Sequence, residues 1–172
     1  SIFTPPTDNT TWGAFLRCPK EHTEVTRIYS ININGFGTIH KQGMTQINTA
    51  KVHEAHQQKL AYSIDLLGMS ETTTYWPYNN SYQTVKNIFC ESDRSTGIAT
   101  ACSPLQPNPN SPYQPGGNML IASGKLTSRI KTYHSDVLGR WCGLTLQGRA
   151  KKHLTVLQLY QVTQNSKVGS AT

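Results

Sequence analysis

The sequence predicts a mixed α/β fold. Three observations support this prediction: an apolar, β-branched segment at residues 25–33, a helix-forming segment at residues 44–62, and a second apolar run at residues 63–71. A strand, a helix and a strand in that order indicate two parallel strands joined by a right-handed crossover. Further strands are expected in the second half of the chain, where β-rich segments dominate.

The first predicted strand is "VTRIYSINI", residues 25–33, which is rich in β-branched and aromatic residues and is followed by Gly35 and Gly37. The predicted helix at residues 44–62 contains no Pro or Gly, although its apolar stripe is weak. The run "SIDLLGMSE", residues 63–71, is almost continuously apolar. Such a run is typical of a strand that is covered on both faces.

The middle of the chain predicts a short helix at residues 81–93 and a strand at residues 97–103. Residues 104–117 are rich in proline, which lacks the amide donor that a β-ladder needs, so a loop is predicted there. Three β-rich runs then follow at short spacing, and they predict an antiparallel meander. These runs are residues 118–123, 140–148 and 152–162.

Length and composition indicate one domain preceded by a leader or linker at residues 1–24. The predicted domain covers residues 25–172. No apolar run reaches the roughly 18 residues that a membrane span requires, and the N-terminus lacks a signal-peptide pattern, so we expect a soluble, intracellular protein without membrane partners. The chain starts without Met and its tail lacks a closing element, so we expect a piece of a longer chain, of undetermined oligomeric state.

The four cysteines are far apart in the sequence, at Cys18, Cys90, Cys102 and Cys142. The absence of a C-x-x-C pair argues against a zinc ribbon, and the spacing argues against a dense disulfide framework. Free thiols are therefore expected.

The chain is basic, with 16 Lys and Arg against 9 Asp and Glu and a formal charge of +7. A positive excess favours polyanionic partners such as nucleic acid, because phosphate neutralisation releases counterions. The basic residues are scattered along the sequence, so a solvated basic surface is an equally open interpretation.

The segment "HEAH" at residues 53–56 resembles the H-E-x-x-H zinc helix, but its histidines are three positions apart instead of four. A solvated helix surface is the favoured interpretation. The sequence also lacks a Walker loop, a G-x-S-x-G elbow and a G-x-G-x-x-G motif, which makes several enzyme classes improbable.

Polar side chains follow the predicted strands at the points where these strands end. Asn32 and Asn34 end the first strand, Glu71 ends the second, and Tyr160 lies near the end of the last. Ligands of α/β sheets gather beyond the carboxyl ends of the strands. A lone carboxylate such as Glu71 suits Mg²⁺, while the amide of Asn32 and the hydroxyl of Tyr160 suit a carboxylate or phosphate partner.

Local signals alone favour a simpler interpretation of the same residues. Asn34-Gly35 is a strong hairpin dipeptide, and Glu71 could cap a helix in "SETTT".

The motifs taken together resemble the endonuclease/exonuclease/phosphatase family, which is AP-endonuclease-like, and especially the retrotransposon-type endonucleases attached to reverse transcriptases. The resemblance rests on "SININGFG", "SIDLLGMSET", "YQPGG", "HSDVLGRW" and "LTVLQLYQV", in that order, from about Ile28 to Val162. It implies a four-layer α/β sandwich of the DNase I-like type, two mixed sheets face to face with helices outside, which is incomplete here at the C-terminus.

The resemblance also implies a function, the Mg²⁺-dependent hydrolytic nicking of DNA, with Mn²⁺ as a substitute ion. Glu71 matches the metal-binding glutamate, Asn32 the asparagine that supports the metal, and Tyr160 the tyrosine that contacts the scissile phosphate. Asn34 and Arg140 are the matching substrate-binding candidates. Asp136, Gly139 and Arg140 belong to a family segment that is mainly structural.

Two departures from the family pattern matter. Ile31 stands where the family usually has Trp, and the family's later Asp-x-Asn and Asp-His residues have no counterpart after Tyr160. We therefore expect the endonuclease part of a retroelement polyprotein, nuclear if eukaryotic, that is inactive by itself. Two alternatives stay open: a non-catalytic basic module that binds nucleic acid, and an enzyme of the same fold that acts on another phosphate ester.

Overall fold

The computed structural model describes residues 25–41, 44–77, 80–92, 95–105 and 114–160. The predicted leader, the tail after Tyr160 and most of the proline-rich segment lie outside these residues. Nine strands and two α-helices are described: β1 Ile28–Asn32, β2 Thr38–Lys41, β3 Met44–Ile47, α1 Thr49–Ala61, β4 Leu66–Ser70, α2 Ser81–Cys90, β5 Thr96–Ala101, β6 Asn118–Ser123, β7 Ile130–Ser135, β8 Trp141–Gln147 and β9 His153–Leu159. Short 3₁₀ helices cover Gly124–Arg129 and Arg149–Lys151.

The first sheet has the strand order β1-β4-β6-β5. β1 runs parallel to β4, whereas β6 is antiparallel to both of its neighbours. Helix α1 lies between β1 and β4 in the sequence, so the parallel strand pair predicted from residues 25–71 is confirmed. All five residues of β4 are buried, as its continuous apolar run predicts.

The predicted start of the first helix was wrong. Met44–Ile47 forms strand β3, which pairs antiparallel with Thr38–Lys41, and α1 begins only at Thr49. The reason is the N-cap: the side chain of Asn48 accepts a hydrogen bond from the amide of Ala50 at 3.1 Å. An asparagine in this position satisfies one of the free amide groups of a new helix and so favours a start there.

The predicted meander was also partly wrong. The run at residues 118–123 is β6, which lies in the first sheet between β4 and β5. β7, which local sequence patterns did not predict, takes its place in the antiparallel meander, so the second sheet has the order β7-β8-β9. The physical reason is burial, because all six residues of β6 are buried. A central strand that is covered on both faces needs such burial, whereas a meander strand with one exposed face does not.

Two apolar clusters hold three layers together. On one face of the first sheet, α1 and α2 pack against alternate strand residues, including Leu67, Met69 and Ile121. On the other face, Leu66, Leu120 and their neighbours pack against β8 of the second sheet. Complete burial of a leucine-sized side chain contributes about 1.5–3 kcal/mol, so both faces of the first sheet stabilise the fold.

The described residues therefore form a mixed α/β arrangement of helices, a mixed sheet and an antiparallel sheet, which confirms the predicted class. Neither α-helix in this part of the chain is long and apolar enough to cross a lipid bilayer. Cys90, Cys102 and Cys142 are free thiols, as predicted, and Cys18 lies outside the described residues.

Candidate functional site

The carboxyl ends of β1 and β4 lie side by side. Asn32 is opposite Ser70 in the parallel register, and Glu71 is the next residue after β4. Beyond the strands, the amide of Ile33 donates to the carbonyl of Ser70 at 3.2 Å and the amide of Gly35 donates to that of Glu71 at 2.6 Å. The two strand ends that carry the predicted metal ligands therefore adjoin.

The turn after β1 uses both asparagines. The side-chain oxygen of Asn32 accepts the amide of Asn34 at 2.9 Å, and Asn34 and Gly35 both have left-handed φ angles, +47° and +75°. Asparagine and glycine tolerate this conformation better than other residues. The asparagines therefore form a turn, as local signals predict, but not a β-hairpin, because β1 pairs with β4 and β2 pairs with β3. Asn32 is exposed, and its side-chain nitrogen makes no hydrogen bond within the described residues.

Lys51 of α1 binds the same turn through three hydrogen bonds. Its ammonium group donates to the carbonyls of Ile33, Asn34 and Gly35 at 3.0, 3.1 and 2.8 Å. A groove of about 290 Å³ lies beside the Lys51 side chain, between β1 and α1. It is lined by Asn32, Lys51 and Glu54 among others, but not by Glu71. The pocket predicted to be shared by Asn32 and Glu71 is therefore not this groove.

Glu71 occupies a strained backbone position. Its φ is +53° and that of Thr73 is +49°, although neither residue is glycine. The left-handed conformation costs roughly 1–2 kcal/mol per residue, and strain of this kind clusters at functional sites. Glu71 is half-buried, and its left-handed φ ends the alternation of side chains along β4 at Ser70.

The chain after Glu71 connects it to the segment before β6. The amides of Thr72 and Thr73 donate to the carbonyls of Gly117 and Gly116 at 3.2 and 2.8 Å. The ring of Tyr160 lies next to Gly116, 3.6 Å from the position that a Cβ atom would take there. The structure thus places Tyr160 at the same edge of the molecule as Glu71, with Gly116 between their segments.

Arg140 and Asp136 form the turn that joins β7 to β8. The guanidinium Nε of Arg140 donates to Asp136 at 2.8 Å, and the Arg140 amide donates to the same carboxylate at 3.1 Å. The hydrogen bond from Arg140 holds the pKa of Asp136 below its ordinary value, and Asp136 in turn raises the pKa of Arg140. The amide of Tyr160 donates to the carbonyl of Arg140 at 2.9 Å, so this turn lies at the same edge.

Asn118 is a candidate that sequence reasoning missed. It is completely buried at the start of β6, directly opposite Ser70, and its side-chain nitrogen donates to the carbonyl of Gly139 at 2.9 Å. Its side-chain oxygen has no partner among the described residues, and neither has the buried hydroxyl of Thr72. An asparagine that opens an otherwise apolar strand was the signal for it in the sequence.

Asn32, Ser70 and Asn118 form a row across three neighbouring strands. Because strands lie about 4.8 Å apart, the two asparagines are roughly 10 Å from each other. This edge thus offers the half-buried carboxylate of Glu71 and the unpartnered side-chain oxygen of Asn118, whereas the side-chain oxygen of Asn32 already accepts the amide of Asn34. Carboxylate and amide oxygens are the hard ligands that Mg²⁺ prefers, so the donor chemistry fits that ion.

The histidines of "HEAH" do not share one environment. His53 is exposed on α1, as predicted, but the prediction of a solvated surface was wrong for His56, which is 2% exposed. Its Nε2 lies 2.8 Å from the hydroxyl of Ser92 and its ring packs on Phe89. His56 is buried because it lies on the face of α1 that also buries Val52 and Ala55. No group of three His, Cys, Asp or Glu suited to a metal occurs among the described residues.

No protein-family model matches the chain, and a search of curated proteins found no match.

Proposed function

We propose that the chain is part of a Mg²⁺-dependent phosphodiester hydrolase that nicks DNA, in a DNase I-like sandwich. The observation that supports this proposal is the convergence of Asn32, Glu71 and Tyr160 at one edge, where β1, β4 and β9 all end. These are the residues that the family resemblance assigns to the metal and to the scissile phosphate. The three described layers are compatible with such a sandwich.

Glu71 would hold Mg²⁺ through its carboxylate. A bound Mg²⁺ polarises the scissile phosphate and stabilises the charge that develops on the leaving oxygen. The side-chain oxygen of Asn32 already accepts the amide of Asn34. Its side-chain nitrogen would therefore donate to the Glu71 carboxylate or to a phosphate oxygen. Tyr160 donates its hydroxyl to the phosphate, and the exposed guanidinium of Arg140 attracts the DNA backbone.

These residues position a phosphate, but none of them is a general base for the attacking water. The sequence contains no Asp or His after Tyr160, where the family pattern has the residues that orient the nucleophile. We therefore expect the 172 residues alone to bind metal and DNA without nicking.

Metal binding tests the proposal directly. We expect titration with Mn²⁺, followed by calorimetry or electron paramagnetic resonance, to detect a site that Glu71→Gln weakens at least tenfold. Glu91→Gln is the matched control, because Glu91 is an exposed carboxylate at the end of α2. Equal metal binding by wild type and Glu71→Gln would contradict the role of Glu71.

A plasmid assay separates the candidate functions. We expect no nicking of supercoiled plasmid by the chain with Mg²⁺; nicking that Glu71→Ala abolishes would overturn the expected inactivity and support the nuclease. DNA binding that is indifferent to both Glu71 and Mg²⁺, with no metal site, would favour the non-catalytic module. Hydrolysis of soluble phosphate esters instead of DNA would favour the third candidate.

A further inference from the structure

The fold gathers basic residues that are separated in the sequence. At one end of the second sheet, β7 begins, β8 ends and β9 begins. The chain segments at this end carry six exposed basic side chains, which we call the basic end: Lys125, Arg129, Lys131, Arg149, Lys151 and Lys152. They are spread over 28 positions of the sequence, and the antiparallel meander brings them together.

The segments of the basic end are held by hydrogen bonds. In the turn between β8 and β9, the amide of Gly148 donates to the carbonyl of Lys152 at 2.7 Å, and the amide of Lys152 donates to that of Arg149 at 3.1 Å. The 3₁₀ helix before β7 is attached to Ser95, whose hydroxyl lies 2.8 Å from that of Thr127. The basic side chains thus project from an ordered backbone.

One further contact ties the two sides of the meander together. The ammonium group of Lys131 on β7 lies 3.2 Å from Nε2 of His153 on β9, across the end of β8. An ammonium group is only a donor, so the histidine nitrogen is the acceptor in this contact.

The charge of the basic end is not compensated by ion pairs. None of its six residues makes an ion pair within the described part of the chain, whereas Arg140, at the opposite end of the meander, is paired with Asp136. Asp65 directly precedes β4, where its carbonyl accepts the amide of Ser123, and Glu91 directly follows α2. Neither of them forms an ion pair with a residue of the basic end. Six like charges repel one another, and a polyanion relieves this repulsion.

The basic end is far from the candidate site. Tyr160 follows His153 by seven residues along β9, which corresponds to roughly 23 Å at the rise of a strand. The Debye length at physiological ionic strength is about 8 Å, so the basic end contributes little to the field at Glu71 and Tyr160. It must act through contacts of its own.

The basic end offers a polyanion six positive charges, on the 3₁₀ helix before β7, on β7 itself and on the turn between β8 and β9. A duplex carries about six phosphate charges over 10 Å of its axis. We propose that the basic end is a second nucleic-acid-binding surface, which binds the sugar-phosphate backbone without reading sequence. This inference does not depend on a metal at Glu71.

Salt-dependent binding tests the inference. The variant is Arg149→Gln/Lys151→Gln/Lys152→Gln, and the ligand is a duplex DNA of arbitrary sequence, titrated by fluorescence anisotropy in EDTA between about 50 and 200 mM salt. Each lost phosphate contact reduces the slope of log K against log salt by about 0.9. We therefore expect the slope to fall by up to about 2.7 and the affinity to fall about tenfold or more at the lower salt concentration.

A charge-matched control removes the effect of net charge. Lys86→Glu/Asn87→Asp on α2 lowers the formal charge of +7 by three, as the triple variant does, and retains the acceptor oxygen for the 2.6 Å hydrogen bond from Gln83. We expect this control to retain most of the wild-type slope. Thermal unfolding verifies that both variants are folded, because every exchanged side chain of the triple variant is exposed.

Two results would overturn the inference. Equal losses of slope in the triple variant and the control would show that net charge alone acts. Binding to vesicles that contain anionic lipid, with no binding to DNA, would assign the basic end to membranes. Because EDTA removes divalent ions, neither result bears on the metal proposed at Glu71.

Discussion

Replacement of Gly139 by alanine is expected to destabilise the fold strongly. Gly139 lies in the turn between β7 and β8 with a φ of +76°. A Cβ atom at this position would lie 2.5 Å from the carbonyl carbon of Cys102 and 2.6 Å from the amide nitrogen of Ser103. Both contacts are with backbone atoms, which cannot turn away as a side chain can.

Two costs add in this variant. The left-handed conformation costs a residue with a Cβ atom roughly 1–2 kcal/mol. Overpacking against the backbone costs about 1–3 kcal/mol more. The expected loss is therefore about 2–5 kcal/mol, a large part of the 5–15 kcal/mol typical of a folded domain. The carbonyl of Gly139 also accepts a hydrogen bond from the side chain of Asn118. A displacement of this carbonyl would therefore disturb Asn118 in the candidate site.

Gly124→Ala is the matched control for this prediction. Gly124 also has a left-handed φ, +60°, but apart from its neighbours in the chain no atom of the described residues lies within 4 Å of its Cβ position. This variant bears only the backbone cost, so urea unfolding is expected to show the Gly139→Ala protein about 1–3 kcal/mol less stable than the Gly124→Ala protein. Equal losses in the two variants would refute the argument from the close approach of Cys102 and Ser103.

Two further predictions concern the contact between the sheets. Burial raises the pKa of the Cys142 thiol to about 12, so the folded protein keeps a proton there that the unfolded chain loses above about pH 9; stability should therefore fall as pH rises from 9 toward 12. Urea unfolding across this range, compared with Cys142→Ala, measures the effect, and an identical pH slope in both proteins would contradict it. The second prediction is that Gly68→Ala destabilises by about 1–3 kcal/mol, because the side-chain oxygen of Gln158 lies against Gly68 and accepts the hydroxyl of Ser30 at 2.9 Å. Gln158→Ala in the same protein should recover part of this loss, and strictly additive losses would exclude the contact as the cause.

Local sequence patterns predicted the main elements of the first sheet well. The apolar run that became β4 and the β-branched segment that became β1 were identified, together with the helix between them. Their parallel pairing followed because a helix between two strands favours a crossover. The adjacency of Asn32 and Glu71 at the strand ends could be predicted for the same reason.

Other features depend on residues that are distant in sequence. The sheet to which β6 belongs is decided by its neighbours β4 and β5, and both an antiparallel meander and a central strand fit its apolar run. The burial of His56 depends on which face of a weakly amphipathic helix meets the sheet. The environment of Asn118 is likewise set by a distant residue, because its side chain donates to the carbonyl of Gly139, 21 residues later.

By itself, the sequence determined the mixed α/β class, the ends of two neighbouring strands and the positive net charge, since propensity, hydrophobic period and composition are local or additive properties. Tertiary structure alone decided that Tyr160 lies at the same edge as Glu71, and that the basic residues scattered over positions 125–152 meet at the opposite end of the second sheet. Both outcomes depend on strand pairing between distant segments, and such pairing is selected by the burial of whole sheet faces, which no short stretch of sequence encodes.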